Sequence, residues 1–499
     1  MNSQPTNPLQ LALARIKLNP LLVALPEQMS PIELAKALRF RPITPENVDS
    51  IDPKERIQLV GEYKKIFIPT AQNLAIARSL QQMLHDGLAQ RDPHHAFARK
   101  FIYTGGLHKG KELSKLEWWP SFASGMVIDG ITGTGKSQLM DRFLSLLPQV
   151  IEDGANPDCG WTSLKQLVWL KVHMPSDGSR GGFLKGAFLE VDKALGTDYA
   201  QQYSSSQWTV EKKLVVFLHI LSVHRCGLLV IEEAQAKNLS QSAFGREFIT
   251  FFLRLLNWGI PTVLMGNPLA FSKLLEFSQD VDRFSEGGWF HLHPQMDPQS
   301  EEWTEDWLPS LWQPTLLDQC DADYAPISND PIDQTLAGFI WRRTAGVPRY
   351  VCRLRREVQD FALRAAATSV TAAMVDEVYR NSEKMIVLHQ RIEALVQRDW
   401  RALRRFDDIP WDYFRQLWNQ PSPEDHELDT QAARPSATKS SPKKTSQSTA
   451  ARKPRATKAN PTPSETLSPA EVKAKQFQNA MAAKISEAAD ARHPSSASS

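Results

Sequence analysis

The stretch of sequence that decides the fold runs from residue 125 to residue 137 and reads Gly125-Met126-Val127-Ile128-Asp129-Gly130-Ile131-Thr132-Gly133-Thr134-Gly135-Lys136-Ser137. Its first five residues are mainly apolar and predict a short buried β-strand. Its last eight match the phosphate-binding pattern Gly-x-x-x-x-Gly-Lys-Ser/Thr. A helix is predicted from Lys136 to about Leu147, so the motif has the required strand before it and helix after it. The stretch therefore predicts an α/β fold that binds nucleotide phosphates.

The residue types in this loop suit a triphosphate. Glycines let the backbone curl so that successive N–H groups face the β-phosphate, and the helix N-terminus adds partial positive charge. Lys136 is expected to reach the β- and γ-phosphates of ATP, and Ser137 is expected to hold Mg²⁺. The predicted ATP-binding residues are Gly130, Ile131, Thr132, Gly133, Thr134, Gly135, Lys136 and Ser137.

A second motif places two acids after four apolar residues, in Leu228-Leu229-Val230-Ile231-Glu232-Glu233. A buried strand with this pattern brings both carboxylates to the edge of the sheet beside the phosphate-binding loop. Glu232 is expected to hold Mg²⁺ through water, and Glu233 to polarise the attacking water. The first acid of this motif is usually Asp, so Glu232 is a departure. The alternative is a strand that ends in solvated acids.

Three further residues are candidates for the catalytic site. Asn267 follows the apolar run Pro261–Gly266 and is expected to orient water near the γ-phosphate; the alternative is a turn residue before Pro268. Arg349 opens a predicted helix after Gly346-Val347-Pro348 and is expected to reach the γ-phosphate, although it also suits a solvated helix start. Arg283 is expected to contact the nucleotide of a neighbouring subunit; the alternative is a surface ion pair.

Alternation of strands and helices predicts a parallel sheet covered by helices on both faces. The other predicted strands are Gln166–Val172, Gly227–Ile231, Pro261–Gly266 and, more weakly, Phe290–Leu292. The predicted organisation is an N-terminal helical region (1–63), a nucleotide-binding core (64–295), an acidic, Trp-rich irregular connector (296–331), a helical lid (332–418) and a disordered interaction tail (419–499).

Composition narrows the class of protein. The chain has 499 residues, of which 42% are hydrophobic and 23% are charged, and this excludes a wholly disordered, collagenous or coiled-coil chain. Its four cysteines are widely spaced without a CxxC pair, which favours a reducing cytoplasm over a disulfide framework or a metal site. The apolar stretches are short and the first residues do not resemble a signal peptide, so neither membrane insertion nor secretion is expected.

The last part of the chain differs from the rest in charge. Residues 421–499 contain twelve Lys and Arg against eight Asp and Glu, and residues 434–458 hold eight basic residues and no acid. Pro, Ser, Thr, Lys and Ala dominate there, so the segment is too poor in apolar residues to form a core. We expect a disordered basic arm that binds DNA phosphates or an acidic protein surface.

These motifs resemble those of the AAA+ ATPases over roughly residues 68–381, and within them the TnsC/TniB family of transposition regulators. The narrower resemblance lies in Glu232-Glu233-Ala234-Gln235 and in Gly259-Ile260-Pro261-Thr262-Val263-Leu264-Met265-Gly266-Asn267-Pro268. It implies an AAA+ P-loop core with a helical lid and a cytoplasmic, nucleoid-associated protein. It also implies an ATP-dependent homo-oligomer, either a ring or a helical filament, that assembles on double-stranded DNA. Such an assembly marks a target site, and its partners are a target-selector protein and transposase subunits.

Three other functions stay open at this point. A helicase-loader-like AAA+ protein has the same fold, and a P-loop small-molecule kinase shares the phosphate-binding loop. The basic tail and the Gly-Val-Pro-Arg start of the lid argue against the kinase. A scaffold that does not hydrolyse ATP is less consistent with Glu233. DNA-stimulated ATPase activity with ATP-dependent assembly would separate these functions.

A local DNA-binding surface is expected beside the second strand. Lys171 and His173 are two residues apart on a strand and share a face, while Arg180 and Lys185 follow the Gly-rich turn. Contacts of these side chains with phosphates would bind DNA without reading its bases. The alternative is a solvated loop that happens to carry charges.

Overall fold

The computed structural model describes residues 18–42, 50–107, 119, 123–205, 207–235, 239, 245–276, 278–312, 318–319 and 324–421. They belong to one compact unit, residues 1–428. A second unit comprises residues 429–499 and lies outside the described residues. The prediction of a disordered basic tail therefore falls outside them too, except for residues 419–421.

The central sheet has five parallel strands in the order β4-β5-β6-β1-β7. A separate hairpin pairs β2 with β3, and a short parallel pair joins β8 with β9. The strands are β1 Gly125–Gly130, β2 Val150–Asp153, β3 Leu164–Leu167, β4 Trp169–His173, β5 Leu228–Ala234, β6 Thr262–Gly266, β7 Trp289–Leu292, β8 Asp318–Gln319 and β9 Ser369–Val370. All residues of β1 and β6 are buried, as expected for a sheet covered on both sides.

The helices begin with a short N-terminal group and then alternate with the strands. Those up to the end of the sheet are α1 Pro20–Val23, α2 Pro31–Leu38, α3 Pro53–Val60, α4 Ala71–Gln90, α5 Ala96–Leu107, α6 Lys136–Leu144, α7 Arg180–Leu195, α8 Tyr199–Tyr203, α9 Val210–Val223, α10 Gly245–Asn257, α11 Ser272–Leu275 and α12 Ser278–Ser285. Side-chain caps define several starts: Ser30 and Glu33 cap α2 reciprocally, and Thr70 accepts a hydrogen bond from the backbone of Asn73 in α4.

Each face of the sheet has its own hydrophobic core. On one face, Val230 of β5 and Ile128 of β1 pack with α4 and with α6, which supplies Met140 and Phe143. On the opposite face, alternate residues of the same strands pack with α7, α9 and α10 in a core rich in phenylalanine. Side chains alternate between the faces of a strand, so position along β4 and β5 decides which helices a residue meets.

A third core belongs to the C-terminal helices. They are α13 Leu308–Trp312, α14 Leu336–Thr344, α15 Pro348–Arg364, α16 Ala372–Asn381, α17 Glu383–Ile386, α18 His389–Val396, α19 Trp400–Leu403 and α20 Trp411–Leu417. Shorter helical turns elsewhere are Glu62–Lys65, Pro157–Cys159, Pro268–Phe271, Pro331–Gln334 and the π-helical Glu302–Trp307. Ile131 of the phosphate-binding loop belongs to this third core, so the loop lies directly against the C-terminal helices.

Two elements differ from the sequence-based predictions. The strand predicted over Gln166–Val172 is two strands, because Val168 separates β3, which pairs with β2, from β4 in the main sheet. The segment predicted as an irregular connector contains helical residues 302–312, with Trp303, Trp307 and Trp312 buried in the third core. Within the described part of the chain, no helix combines the length and apolar character needed to cross a membrane.

Candidate nucleotide-binding site

The loop between β1 and α6 has the backbone that phosphate binding requires. Gly133 and Gly135 adopt φ values of 100° and 93°, in the left-handed region that glycine tolerates best. The Thr134 hydroxyl donates to the carbonyl oxygen of Ile131 at 2.9 Å and closes the turn. The loop then runs directly into the N-terminus of α6, where backbone N–H groups are available to an anion.

Lys136 folds back onto its own loop. Its Nζ donates to the carbonyl oxygens of Gly130 at 2.7 Å and Ile131 at 3.1 Å. Burial lowers the pKa of Lys136 to about 8, although attraction to Asp129, Asp408 and Glu232 opposes part of that effect. The lysine is therefore at the loop, with its charge only partly compensated by protein carboxylates.

Glu232 lies at the end of β5 and is only 4% exposed. Its Oε2 is 3.2 Å from Lys171 Nζ and 3.7 Å from His173 Nδ1. Its Oε1 is buried and has no hydrogen-bond partner among the described residues. An unpartnered buried carboxylate oxygen is unfavourable by about 1–3 kcal/mol, so this atom is well suited to a ligand that the protein does not itself supply.

Glu233 is exposed and has an unusual backbone. Its φ is 61°, in the left-handed region that few non-glycine residues adopt. The pairing of β5 with β6 shifts register between Ile231 and Ala234, so Glu233 sits at an irregularity of the strand. This conformation directs consecutive glutamates into different surroundings: Glu232 is buried and Glu233 is accessible from the cavity that both line.

Asn267 directly follows β6, and its side chain makes two hydrogen bonds. Its Oδ1 accepts from the backbone N–H of Leu269 at 3.0 Å, as expected for a turn before Pro268. Its Nδ2 donates to the carbonyl oxygen of Asp408 at 2.5 Å. The side chain therefore caps a turn and also connects the sheet to the C-terminal helical region.

The two predicted arginines occupy different positions. Arg349, in the first turn of α15, donates its backbone N–H to the carbonyl oxygen of Gly133 at 3.2 Å and lines the same cavity as the loop. Arg283 lies on α12, where its Nη1 is 3.5 Å from Asn257 Oδ1, and it is not part of the cavity wall. Only Arg349 is brought to the candidate site within one chain.

Most of the site residues described so far, though not Arg283, line one cavity of about 1050 Å³. Its polar wall contains the phosphate-binding loop, both glutamates, Asn267 and Arg349. Its apolar wall includes Ile66, Ile68 and Trp307, which the sequence-based predictions missed. Those residues come from segments more than 200 positions apart, and no local motif marks them. The cavity therefore offers apolar surface for a base next to a site for phosphates.

Asp129 was also missed, although it directly precedes the loop. It is 1% exposed and accepts from Trp289 Nε1 at 2.7 Å. Its other oxygen is 2.6 Å from His291 Nδ1. Trp289 and His291 lie on β7, the edge strand beside β1. Their contacts therefore fix the residue that precedes the phosphate-binding loop against the edge strand of the sheet.

The predicted metal-binding residues, Ser137 and Glu232, are compatible with a Mg²⁺ ion that is bound together with phosphates. Ser137 and Glu232 line the same cavity, and Glu232 Oε1 is the unpartnered oxygen described above. The described residues contain no cluster of three or more His, Cys, Asp or Glu side chains that would hold a metal by themselves. A magnesium ion bound together with phosphates needs only one or two protein ligands, so this donor set is compatible with it.

The four residues predicted to contact DNA do not share one environment. Lys171 lies between Asp141 and Glu232, with its Nζ 2.5 Å from Asp141 Oδ1. Burial opposes the charge on Lys171, but the hydrogen bond to Asp141 and the attraction of Glu232 raise its pKa above the ordinary value. Arg180 pairs with Glu247 at 2.6 Å, while His173 and Lys185 are exposed. DNA contact by these four residues stays a prediction.

Comparisons with known proteins give one family match and several distant structural similarities. Residues 123–275 match the family described as AAA domain. No curated protein matches the chain. The Drosophila ORC bound to DNA is 12% identical, with a TM-score of 0.31 and coverage of 85% of this chain and 91% of that chain. The Aeropyrum pernix ORC1 protein in complex with DNA is 16% identical, with a TM-score of 0.34 and coverage of 62% and 67%.

A third similar structure is the Thermotoga maritima RuvB Holliday junction branch migration motor. It is 14% identical, with a TM-score of 0.28 and coverage of 64% of this chain and 80% of that chain. Similarities this distant say nothing about what this chain binds. The family match instead covers the strand, loop and helix that form the phosphate site, together with β5 and β6. Residues 123–275 therefore form an AAA domain that supplies β1, β4, β5 and β6 of the parallel five-stranded sheet, and the fifth strand, β7, follows at Trp289–Leu292.

Proposed function

We propose that the protein is a Mg²⁺-dependent ATPase of the TnsC/TniB type that regulates DNA transposition. The observation that carries the enzymatic part is the single cavity in which Lys136, Glu232, Glu233, Asn267 and Arg349 meet. The transposition part rests on the sequence resemblance around Glu232–Gln235 and Gly259–Pro268. The role of ATP in this proposal is to switch assembly on DNA.

In this proposal each residue of the site has its own role in binding or hydrolysing ATP. The loop N–H groups and Lys136 bind the phosphates, and the apolar wall at Ile66 and Trp307 packs against the base. Bound Mg²⁺ neutralises phosphate charge, and Ser137 and Glu232 are the residues that would hold it. Glu233, exposed at the edge of the sheet, orients the attacking water and accepts its proton.

Assembly is the second part of the proposal. Arg283 lies outside its own chain's cavity, which suits a residue that contacts the nucleotide of a neighbouring subunit. Copies of the chain then form a ring or filament on double-stranded DNA, with Lys171, His173, Arg180 and Lys185 as the predicted phosphate contacts. A target-selector protein and transposase subunits are the proposed partners, and residues 419–499 are the proposed interaction arm.

The enzymatic part is tested with two substitutions that separate binding from turnover. Lys136→Ala should lose ATP binding, because the phosphates lose their main side-chain partner. Glu233→Gln should bind ATP normally but hydrolyse it at least about 100-fold more slowly, the usual effect of losing a general base. Lys193→Ala, which removes an exposed lysine paired with Glu190, is the control and should match the wild type. Wild-type turnover in Glu233→Gln would exclude this role for Glu233.

The transposition part needs DNA and the partner proteins. Electron micrographs with double-stranded DNA and a slowly hydrolysed ATP analogue should show rings or filaments that are absent with ADP. Such assemblies should then stimulate strand transfer by the transposase subunits. DNA-dependent assembly without any stimulation of the transposase would argue against transposition and favour the helicase-loader-like alternative.

A further inference from the structure

Lys171 connects three elements at the edge of the nucleotide site. It projects from β4, and its Nζ lies 2.5 Å from Asp141 Oδ1 on α6 and 3.2 Å from Glu232 Oε2 on β5. The Lys171 side chain is 22% exposed, against 5% for Glu232 and 59% for Asp141. The lysine therefore joins a buried carboxylate to an exposed one across the junction of the sheet with the phosphate-loop helix.

The register of the sheet explains this contact. Strands β4 and β5 are parallel, with His173 opposite Glu232 and Lys171 opposite Val230. Val230 packs in the core that contains α6, so the alternation along the strands places Lys171 and Glu232 on that same face. Glu232 is offset by two residues, about 7 Å along the strand, and the long lysine side chain spans this distance.

The contact with Lys171 places the two oxygens of the Glu232 carboxylate in different surroundings. Oε2 forms the ion pair with Lys171, whereas Oε1 has no hydrogen-bond partner among the described residues. The second basic neighbour, His173, is 3.7 Å from Oε2 and too far for a direct hydrogen bond. A carboxylate held at one oxygen cannot rotate freely, so the other oxygen keeps a defined direction.

We propose that Lys171 is a positioning residue for Glu232: it binds Oε2, keeps Oε1 for the water shell of nucleotide-bound Mg²⁺, and is itself oriented by Asp141. This inference rests on the proposed Mg²⁺-ATPase function. It also gives a physical reason for glutamate at position 232. An aspartate is one methylene shorter, and its carboxylate would withdraw from Lys171 beyond hydrogen-bonding distance.

The test measures nucleotide binding and needs no turnover. Affinity for a fluorescent ATP analogue is titrated against Mg²⁺ in the full-length protein, with EDTA as the metal-free reference. Lys171→Met should raise the Mg²⁺ concentration required for half-maximal enhancement about tenfold, the effect of losing one close charged contact to the Glu232 carboxylate. Affinity in EDTA should stay within about twofold of the wild type. Lys171→Arg should recover part of the effect, and Asp141→Asn should produce a smaller shift in the same direction.

A matched control distinguishes loss of the Lys171–Glu232 contact from the loss of one positive charge anywhere on the protein. Lys165 lies on the preceding strand β3 and pairs with Glu152 at 3.3 Å, away from the nucleotide cavity. Lys165→Met removes the same charge, but from a more exposed ion pair that does not involve Glu232. It should leave the Mg²⁺ titration unchanged. An equal shift in Lys165→Met would show that net charge, and not the Lys171–Glu232 contact, sets the Mg²⁺ requirement.

A double-substitution cycle decides whether Lys171 acts through Glu232. In the Glu232→Gln background, adding Lys171→Met should have little further effect on the Mg²⁺ titration, because the carboxylate it positions is gone. Additive effects would overturn the proposal. If Lys171→Met lowers the melting temperature strongly, the comparison is made with Asp141→Asn, whose carboxylate is exposed.

Two other results have distinct meanings. A normal Mg²⁺ titration in Lys171→Met, with weakened DNA binding, would overturn the positioning role and support the predicted DNA contact. Failure of the wild-type protein to bind ATP with Mg²⁺ would instead refute the proposed function, whatever the variants do.

Discussion

Lys136 is the residue at which pH should control nucleotide binding most directly. Its pKa is lowered to about 8 by burial, and bound phosphates require the charged form. Above pH 8 the free protein loses this proton, so binding must restore it, and ATP affinity should fall by up to about tenfold per pH unit. Titrations of ATP binding by the wild-type protein between pH 7 and 9.5 check this. A flat profile in the wild type would contradict it.

The lowered pKa of Lys136 also makes the stability of the fold depend on pH, but stability changes with pH in the opposite direction to ATP affinity. Because the pKa of Lys136 in the folded chain lies below its ordinary value of 10.5, the unfolded chain binds more protons between about pH 8 and 10.5. The contribution of this residue to the free energy of unfolding therefore rises with pH across that window. The residue is better suited to binding phosphate than to stabilising the empty loop.

Site residues close together in one motif could be predicted from the sequence, and those brought together by topology could not. The phosphate-binding loop and Glu232–Glu233 follow from spacing alone. The contact of Lys171 with Glu232 depends on β4 being the neighbour of β5, and alternation of strands and helices does not specify that order. The bond from Asn267 to Asp408 spans 141 positions and leaves no local pattern.

At the scale of elements, a buried ion-pair cluster holds the C-terminal helices together. Arg343 on α14 is 8% exposed; it contacts Asp376 on α16 at 2.6 Å and Asp333 at 3.3 Å, and it stacks on the Phe339 ring. Arg343→Leu should lower the free energy of unfolding by about 3–5 kcal/mol, because it leaves the buried Asp333 without this partner and Asp376 with Arg380 alone. Urea denaturation measures this. Arg364→Leu, at an exposed i,i+4 pair on α15, should cost less than about 1 kcal/mol. Equal effects would mean that the cluster does not stabilise the helices.

Elements with a strong local signal were predicted well, whereas elements defined by their partners were not. β1, α6 and β6 lie close to their predicted positions because an apolar run or a loop motif marks them. The break at Val168 is not marked in the sequence, because β3 and β4 both mix apolar with polar residues and differ in the strand each pairs with. Residues 302–312 combine acids with tryptophans, and their burial depends on a core contributed by distant helices.

At the scale of the whole molecule, the last described helix belongs to the folded unit. Phe414 of α20 is 1% exposed, and the Tyr413 hydroxyl lies 2.8 Å from His293 Nε2, just beyond β7. A chain that ends at Gln420 should keep the melting temperature and ATP affinity of the full-length protein. It should lose affinity for DNA at low salt or for the transposase, if the tail is the interaction arm.

A shorter chain provides the comparison. Ending at Arg405 removes Phe414 from its core and Asp408 from its bond with Asn267, so we expect a melting temperature lower by about 5 °C or more. Thermal denaturation followed by circular dichroism measures both truncations. Equal stability of the two would show that α20 is dispensable, and instability of the longer one would place essential contacts beyond Gln420.

The left-handed backbone at Glu233 bears on how this sequence can change over generations. A side chain other than glycine costs about 1–2 kcal/mol in that conformation, and asparagine or glycine tolerates it better. Variants with either residue at this position would fold at least as well while lacking the carboxylate. Selection for folding alone would therefore move the position away from glutamate. A lineage that retains glutamate there is under pressure for the carboxylate itself, and stable descendants without that carboxylate are one substitution away.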